Sequence, residues 1–470
     1  MSTRRTTLGA AAALGLTLLA PTSVATAAGE TCRGEAATIV GERTKVIAGT
    51  EGRDVVVTNG SSKVDTFGGD DLVCVTGRDG RSGTTYGISI DTGAGNDVVD
   101  GTAARSWGVD LRLGEGADRF EGGASDDQVL AGAITFVNGE VVYVDGDTDV
   151  LIGGGGDDSL RSGQDGAANG DLLLGDGGDD SLSFTGVRAE GSLIDGGAGS
   201  DSLGLALSAG AHVLDNVGGA LQRDGALMRT WTQVERFYVS AVAGATLDVR
   251  GSDEAETVWL SDPVPVVAAL GGGDDTFAVP AVLPAGSSLA GGDGRDRFDF
   301  GIEDGSVEWD LRSGTVRSGD TTFSAAGFED GFVSAPRTRL VGTGGPNDLS
   351  ANSCDARIDA RNGPDSVSIH SDGTFEEFDT CTGSTVLVGG RGHDRISSRA
   401  GSEDRMVGGR GNDMFYAVGG DDAVFGGPGR DAAELGPGND RFFGGPGRDT
   451  VDGEQGRDSC RAERRTSCER

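Results

Sequence analysis

Short apolar stretches, each preceded by a glycine-rich polar segment, recur along much of the chain. From position 408 the sequence reads GGRGNDMFY, AVGGDDAVF, GGPGRDAAE, LGPGNDRFF, GGPGRDTVD and GEQGRDSCR. In each unit an aspartate ends the glycine-rich part, and the residue two positions later is apolar. Glycine permits the positive φ angles of a sharp turn, and a polar-apolar-polar triplet is typical of a short strand with one inward side chain. The pattern predicts turns and very short strands in alternation.

The aspartates of this tract keep a strict nine-residue period. Seven of them stand in register from Asp404 to Asp458. Charged residues that only face solvent would not keep a constant nine-residue spacing. Two units complete a coil of 18 residues, so residues 18 apart should stack about 4.8 Å from each other along one edge. We expect the aspartates to face outward along the turns.

Looser copies of the same unit occur upstream. GGAGSDSL, GGDGRDRF and GGRGHDRI contain Asp201, Asp296 and Asp394. Degenerate copies centre on Asp54, Asp71, Asp97, Asp118, Asp127, Asp158, Asp180, Asp275 and Asp365. Several of these aspartates, such as Asp97 and Asp118, lie 21 residues apart, which predicts broader coils than in the C-terminal tract.

A longer duplication lies in the middle of the chain. Residues 215–240 parallel residues 309–334, and Glu235 and Glu329 lie 94 positions apart. The two blocks hold few turn aspartates and more aromatic residues. We expect them to bury a core without metal.

Composition narrows the function classes. Glycine accounts for 85 of 470 residues, and the net charge is −36. Such an acidic chain repels nucleic acid and anionic membranes and attracts cations. Calcium in particular takes six to eight oxygen ligands from carboxylates and carbonyls, both of which a glycine-aspartate turn supplies.

The nonapeptides match G-G-x-G-x-D-x-U-x, in which U is apolar. The chain therefore resembles the RTX, or haemolysin-type calcium-binding, repeat family, and more narrowly exported proteins made almost wholly of such repeats. The resemblance implies an all-β, right-handed parallel β-solenoid, with a β-roll in the C-terminal tract and broader parallel β-helix coils upstream. It also implies calcium in the turns.

The candidate calcium ligands are turn aspartates and turn glycine carbonyls. Turns 18 residues apart pair Asp404 with Asp422, Asp413 with Asp431, Asp422 with Asp440, Asp431 with Asp449, and Asp440 with Asp458. The glycine carbonyls are those of Gly409, Gly411, Gly427, Gly429, Gly445 and Gly447, and further aspartates are Asp158, Asp180, Asp201, Asp296 and Asp394. Without calcium, stacked like charges oppose folding, so we expect the tract to fold on binding the ion.

The ends of the chain predict export and capping. Arg4 and Arg5 precede an apolar run too short to span a bilayer, and Ala25-Thr26-Ala27 fits a cleavage site, so residues 1–28 read as a secretory signal. The general and twin-arginine export routes both stay open. Six cysteines in three sequence clusters favour disulfides in an extracellular protein, with the pairs Cys32–Cys74, Cys354–Cys381 and Cys460–Cys468 the simplest arrangement.

We divide the chain into six segments. They are the signal (1–28), an N-terminal cap with degenerate repeats (29–130), glycine/aspartate repeats (131–212), the two related blocks (213–385), the calcium β-roll (386–458) and a disulfide cap (459–470).

Two other functions compete with calcium binding. Paired aspartates suit glycoside hydrolysis, but here each pair falls at the same repeat position, and the chain has neither H-E-x-x-H nor G-x-S-x-G, so we expect no enzyme. A cell-surface or polysaccharide ligand is the stronger alternative, with Trp107, Trp231, Trp259 and Trp309 as possible contacts, although we favour a core role for them. We expect a monomer without a membrane span.

Overall fold

The computed structural model describes residues 29–77, 86–104, 107–137, 140–164, 167–370, 385–399 and 401–469. These residues form strands and turns without any helix, so none of the described chain is a helix that could cross a membrane. The predicted signal segment and Cys381 lie outside the described residues.

The chain winds as a parallel β-solenoid, as the sequence predicted. Each coil contributes one strand to each of two long faces, and equivalent residues of successive coils pair in parallel register, as Arg405, Ala423 and Arg441 do. In the C-terminal tract the coil is 18 residues long; upstream coils of 21 and 22 residues are common, which confirms the broader upstream coils.

Face 1 is one continuous sheet. Its strands are, in stacking order, Val46–Ala48, Lys63–Asp65, Tyr86–Ala94, Gly108–Glu115, Gln128–Val137, Ser159–Ser162, Ser181–Phe184, Ser202–Leu207, Arg236–Ala241, Thr257–Leu260, Thr276–Val279, Arg297–Gly301, Asp330–Ser334, Asp348–Asn352, Ser366–Ile369, Arg395–Ser397, Met414–Tyr416, Ala432–Glu434, Thr450–Asp452 and Arg464–Thr466.

Face 2 consists of two sheets. The first holds Ile39–Val40, Val55–Val57, Leu72–Cys74, Val98–Asp100, Arg119–Glu121, Val150–Gly155, Leu172–Gly177 and Leu193–Asp195. The second holds Gly210–Asp215, Ala220–Arg223, Ala226–Thr230, Ala245–Arg250, Val266–Gly272, Ser288–Asp293, Ser306–Asp310, Thr315–Ser318, Thr321–Ala326, Arg337–Val341, Asp355–Asn362, Val386–Arg391, Arg405–Arg410, Ala423–Phe425, Arg441–Phe443 and Ser459–Arg461.

Shorter pairings complete the strand set. Glu140–Val144 runs antiparallel to the end of Gln128–Val137. The two-stranded pairs are Thr31–Cys32 with Glu35–Ala36, Ala168–Asn169 with Val187–Arg188, and Pro437–Gly438 with Gln455–Gly456.

In the C-terminal tract the core is a stack of apolar side chains, one from each strand, whereas longer upstream strands such as Ser202–Leu207 bury three. On face 2, Leu387, Met406, Val424 and Phe442 follow one another in register and are fully buried. All of them except Leu387 stand two positions after a turn aspartate, as the sequence predicted; Leu387 takes the same place after Thr385. Burying each such side chain contributes about 1.5–3 kcal/mol, so the apolar row holds the coils together.

The two duplicated blocks fold alike. Each adds a three-stranded antiparallel unit to face 2, formed by strands within 210–230 in the first block and within 306–326 in the second. In the second, Phe298 contacts Phe300, Trp309 and Phe328 with ring centroids 4.7, 5.5 and 5.7 Å away. This aromatic cluster confirms the expected core.

Three of the four tryptophans and two of the predicted disulfides match the expectations. Three tryptophans are buried, whereas Trp259 is 47% exposed on the outside of face 1. The disulfides Cys32–Cys74 and Cys460–Cys468 are both formed. Cys354 is also disulfide-bonded. The last strand, Arg464–Thr466, pairs with Thr450–Asp452 at the end of face 1, within the segment predicted to be a cap.

Candidate metal centres in the turns

The turn aspartates are buried, which corrects the expectation that they face outward. Each of the seven from Asp404 to Asp458 exposes no more than 2% of its surface. The aspartate lies two residues before the inward apolar residue, and side chains alternate along a strand, so both point to the same side. The carboxylates therefore line the inner edges of the solenoid instead of its surface.

One oxygen of each carboxylate joins successive coils. The backbone N–H of Asp404 donates to Oδ1 of Asp422 at 2.7 Å. In the same way, the N–H of Asp422 donates to Oδ1 of Asp440 at 2.8 Å, and the N–H of Asp440 donates to Oδ1 of Asp458 at 2.9 Å. On the opposite edge Asp413 and Asp431 form the same bonds with the next coil. All five pairs predicted from the 18-residue spacing are therefore direct neighbours.

We call this row of contacts the aspartate ladder, and it extends through the upstream coils. The same bond, from a backbone N–H to Oδ1 of the next aspartate, runs from Asp158 to Asp180, from Asp180 to Asp201, from Asp275 to Asp296 and from Asp394 to Asp413. The isolated upstream turns thus have the same hydrogen-bond geometry as the C-terminal tract.

The second oxygen has no hydrogen-bond partner in most turns. Buried, unpartnered Oδ2 atoms among the described residues belong to Asp71, Asp97, Asp118, Asp127, Asp149, Asp158, Asp171, Asp180, Asp201, Asp275, Asp296, Asp365, Asp394, Asp413, Asp422, Asp431, Asp440, Asp449 and Asp458. A buried carboxylate oxygen without a donor or a cation is costly, so this row indicates where a cation would bind.

Asp404 differs from the other predicted ligands. The Ser402 hydroxyl donates to its Oδ2 at 2.7 Å. Asp54, which heads the upstream ladder, is similar, because the backbone N–H of Thr50 donates to its Oδ2 at 2.7 Å. The Thr50 hydroxyl also donates to Oδ2 of Asp54, at 3.1 Å. In these two turns a nearby hydroxyl satisfies the second carboxylate oxygen, so they need a cation less.

The first glycine of a complete turn makes room for this second oxygen. A Cβ on Gly408 would lie 2.2 Å from Oδ2 of Asp413, and one on Gly426 would lie 2.3 Å from Oδ2 of Asp431. The side chain therefore folds back under its own turn, where only glycine leaves enough space.

The predicted carbonyl donors stack from coil to coil. A Cβ added to Gly429 would lie 1.4 Å from the carbonyl oxygen of Gly411. A Cβ added to Gly447 would lie 1.5 Å from the carbonyl oxygen of Gly429. The second glycines form a parallel row, with Gly409, Gly427 and Gly445 at φ angles of 116°, 109° and 101°. Backbone oxygens and carboxylates of adjacent turns are thus brought together.

Burial raises the pKa values of ten ladder carboxyls. The pKa reaches about 8 for Asp422 and Asp158 and about 7 for Asp431, because desolvation disfavours the charged form and neighbouring carboxylates repel it. It reaches about 6 for Asp180, Asp394 and Asp440. The same burial raises the pKa values of Asp201, Asp296, Asp413 and Asp458. The ladder is electrostatically unfavourable unless protons or cations neutralise it.

The sequence reasoning missed part of this arrangement. Asp149 and Asp171 are ladder members, and each is followed two residues later by a buried leucine, which is the signal that could have identified them. Together with Asp145 they form a group of three buried aspartates whose carboxylate oxygens lie within 4.8 Å of one another. Asp145 precedes no inward apolar residue of a strand, and no sequence signal marks it.

Glutamates replace aspartate at several ladder positions. The backbone N–H of Asp201 donates to Glu235, and that of Asp296 donates to Glu329, so the duplicated glutamates are structurally equivalent. At the C-terminal end, the backbone N–H of Asp449 donates to the Glu463 carboxylate, and that of Asp458 donates to the Glu469 carboxylate. The ladder is therefore closed by carboxylates beyond the last nonapeptide.

Comparison with known families agrees with the geometry. The model of the RTX calcium-binding nonapeptide repeat matches residues 89–104, 110–133, 139–166, 382–403, 401–433 and 434–462. Both the C-terminal tract and the upstream coils are thus similar to these repeats. No curated protein matches the chain significantly.

Proposed function

From the premise that the chain contains RTX calcium-binding nonapeptide repeats, we propose that it is a secreted protein in which calcium binds between successive turns and completes folding. The observation that carries this proposal is the row of buried carboxylates whose second oxygens lack a partner. One such oxygen recurs at nearly every turn of the C-terminal tract.

The donor set suits calcium. The turns offer carboxylate and backbone carbonyl oxygens, and the described residues around them include no cysteine thiolate, since the described cysteines are disulfide-bonded. Calcium accepts such hard ligands in flexible geometry. The aspartates named above would supply the charge, and the carbonyls of Gly409, Gly411, Gly427, Gly429, Gly445 and Gly447 the neutral ligands.

Calcium would stabilise the coils by removing repulsion. Two like charges about 5 Å apart cost about 0.8 kcal/mol in water and more where water is excluded. The ladder repeats such contacts at every coil, while each coil of the tract buries only two or three apolar side chains. A ligand that binds the folded form alone adds about 1.4 kcal/mol per site at ten times its Kd, so several sites together decide folding.

Full-length protein tests the proposal by calorimetric calcium titration and circular dichroism in calcium and in EGTA. Asp422→Asn removes a buried ladder charge, whereas Asp421→Asn changes an exposed neighbour. We expect calcium uptake and a gain of β signal in the wild type, lower stoichiometry in D422N, and wild-type behaviour in D421N. No uptake at millimolar calcium, or equal β signal in both conditions, would refute the proposal.

Secretion is supported by the disulfides, which form and persist in oxidising compartments. The absence of catalysis, the monomeric state and the six-segment division stay predictions. A domain boundary is tested by limited proteolysis, and the oligomeric state by light scattering.

One observation favours the alternative of polysaccharide binding. Arg361, Arg391 and Arg410 line a groove beside Phe425 on face 2, and Arg391 and Arg410 stand in register on adjacent coils. Basic side chains next to an aromatic ring suit acidic sugars. An array of uronate polymers, probed with wild type and with the R391Q/R410Q double variant, tests this function; equal signals from both proteins would dismiss it.

A further inference from the structure

We propose that Asp145, Asp149 and Asp171 form a separate calcium site, which differs from the repeat turns because three carboxylates converge on one ion. One carboxylate oxygen from each lies within 4.8 Å of those of the other two. The repeat turns offer one carboxylate per turn. The site rests on the proposed function, because it takes the same ion and because two of its carboxylates, Asp149 and Asp171, belong to the aspartate ladder.

The site owes its third carboxylate to an insertion. Ladder partners Asp118 and Asp149 are 31 residues apart, whereas the next step, from Asp149 to Asp171, is 22. The extra residues form the antiparallel hairpin between Gln128–Val137 and Glu140–Val144. Asp145 follows this hairpin directly, so the insertion delivers its side chain to an ordinary ladder step.

A hydrogen bond holds Asp145 in place. The backbone N–H of Gly163 donates to its Oδ2 at 2.7 Å, and the residue is 7% exposed. Its neighbour Asp147 is exposed. Asp145 is thus fixed in the interior, while Asp147 offers a nearby carboxylate outside the site.

The other two carboxylates each have an oxygen to spare. Oδ1 of Asp149 accepts the N–H of Asp118, and Oδ1 of Asp171 accepts the N–H of Asp149, at 2.7 and 2.8 Å. Oδ2 of both residues is buried without a partner, and the residues are only 1% and 0% exposed. Unpartnered, fully buried oxygens beside a third carboxylate point to a cation.

No ion pair in the described chain neutralises the group. The ion pairs of the described residues do not include any of the three aspartates. An all-oxygen set of three carboxylates suits calcium better than zinc, which prefers nitrogen and sulfur ligands. Because affinity rises with the number of charged ligands, we expect this site to hold the tightest-bound ion of the chain.

Asp145→Asn tests the site, because it removes one charge without touching the aspartate ladder and leaves an oxygen to accept from Gly163. Asp147→Asn is the matched control. Calcium bound to full-length protein is counted by native mass spectrometry and titrated by calorimetry. We expect D145N to bind one ion fewer, or to bind its tightest ion at least tenfold more weakly, and D147N to equal the wild type. Unchanged stoichiometry and affinity in D145N would overturn the site.

Two further measurements keep the outcomes distinct. D422N should lose calcium from the repeats and retain the tightest ion, so loss of binding in D422N alone would support the proposed function and refute this site. If D145N alone loses calcium and the repeats take up none, the result would support this site and refute the proposed function. If D145N does not fold, crystals of the wild type soaked in terbium decide the question: an anomalous peak between the three carboxylates supports the site, and its absence refutes it.

Discussion

The backbone N–H of Asp404 donates to Oδ1 of Asp422 at 2.7 Å, and Oδ2 of Asp422 is buried without any partner. The same carboxylate therefore joins two coils with one oxygen and offers the other to a cation. This division explains why the repeat needs aspartate at this point: the side chain must reach the next coil and still present a charged ligand inside the turn. Asparagine could keep the hydrogen bond between the coils but would be a weaker cation ligand, because it carries no charge.

Gly429→Ala should destabilise the C-terminal coils strongly. An added Cβ would lie 1.4 Å from the carbonyl oxygen of Gly411, so adjacent coils would have to separate. We expect a loss of about 2–4 kcal/mol, in the range of other backbone clashes, measured by urea unfolding in calcium. Gly344→Ala is the control, since nothing lies within 4 Å of its added Cβ. Equal stability of the two variants would contradict the stacking of the turns.

Calcium-free protein should gain stability on acidification. The folded-state pKa values are about 8 for Asp422, about 7 for Asp431 and about 6 for Asp440, against about 3.9 in an unfolded chain. Because these pKa values are raised, their contribution to stability is present at low pH and is lost as the pH rises through about 6 to 8.

The measurement is thermal unfolding of decalcified protein, followed by circular dichroism between pH 8 and pH 5. We expect the melting temperature to rise as the pH falls. In millimolar calcium the trend should weaken, since the ion replaces the protons at higher pH. A melting temperature that falls steadily with acidification in the calcium-free state would contradict the buried ladder.

Ser402→Ala should make the first turn of the tract more dependent on calcium. The Ser402 hydroxyl is the donor to Oδ2 of Asp404, and its removal leaves that buried oxygen unsatisfied. The cost of such a group is about 1–3 kcal/mol. We expect this loss in calcium-free unfolding at low pH, where the tract is folded, and a smaller loss in calcium. The partly buried Ser397→Ala should change neither value.

Removing the C-terminal disulfide should loosen the cap. Cys460 and Cys468 close a loop with a sequence separation of 8, for which chain-entropy arguments give about 2–3 kcal/mol. We expect Cys460→Ser/Cys468→Ser to raise hydrogen exchange in Arg464–Thr466 and in the last coil before it reaches upstream coils. Uniform exchange along the solenoid would show that the cap does not protect this end.

Much of the fold could be predicted from the sequence, because the nine-residue period specifies both the coil and its inward residue. Phe415 and Val424 lie in the core for that reason. The pairing of Asp413 with Asp431 also follows from spacing alone. The outward direction of the aspartates was predicted wrongly, although alternation places Asp413 on the same side as Phe415. The glutamates at the ends of ladder segments could not be recognised, since their turns lack the glycine pattern.

Local repetition thus determined the solenoid, its coil length and its candidate ligands, because a short period forces equivalent residues into one row. Only the tertiary structure decided which carboxylate oxygens are satisfied and which are not. It alone brought Asp145 to Asp149 and Asp171, because the hairpin inserted before Asp145 breaks the period, and the position of a residue outside the period depends on how that insertion packs.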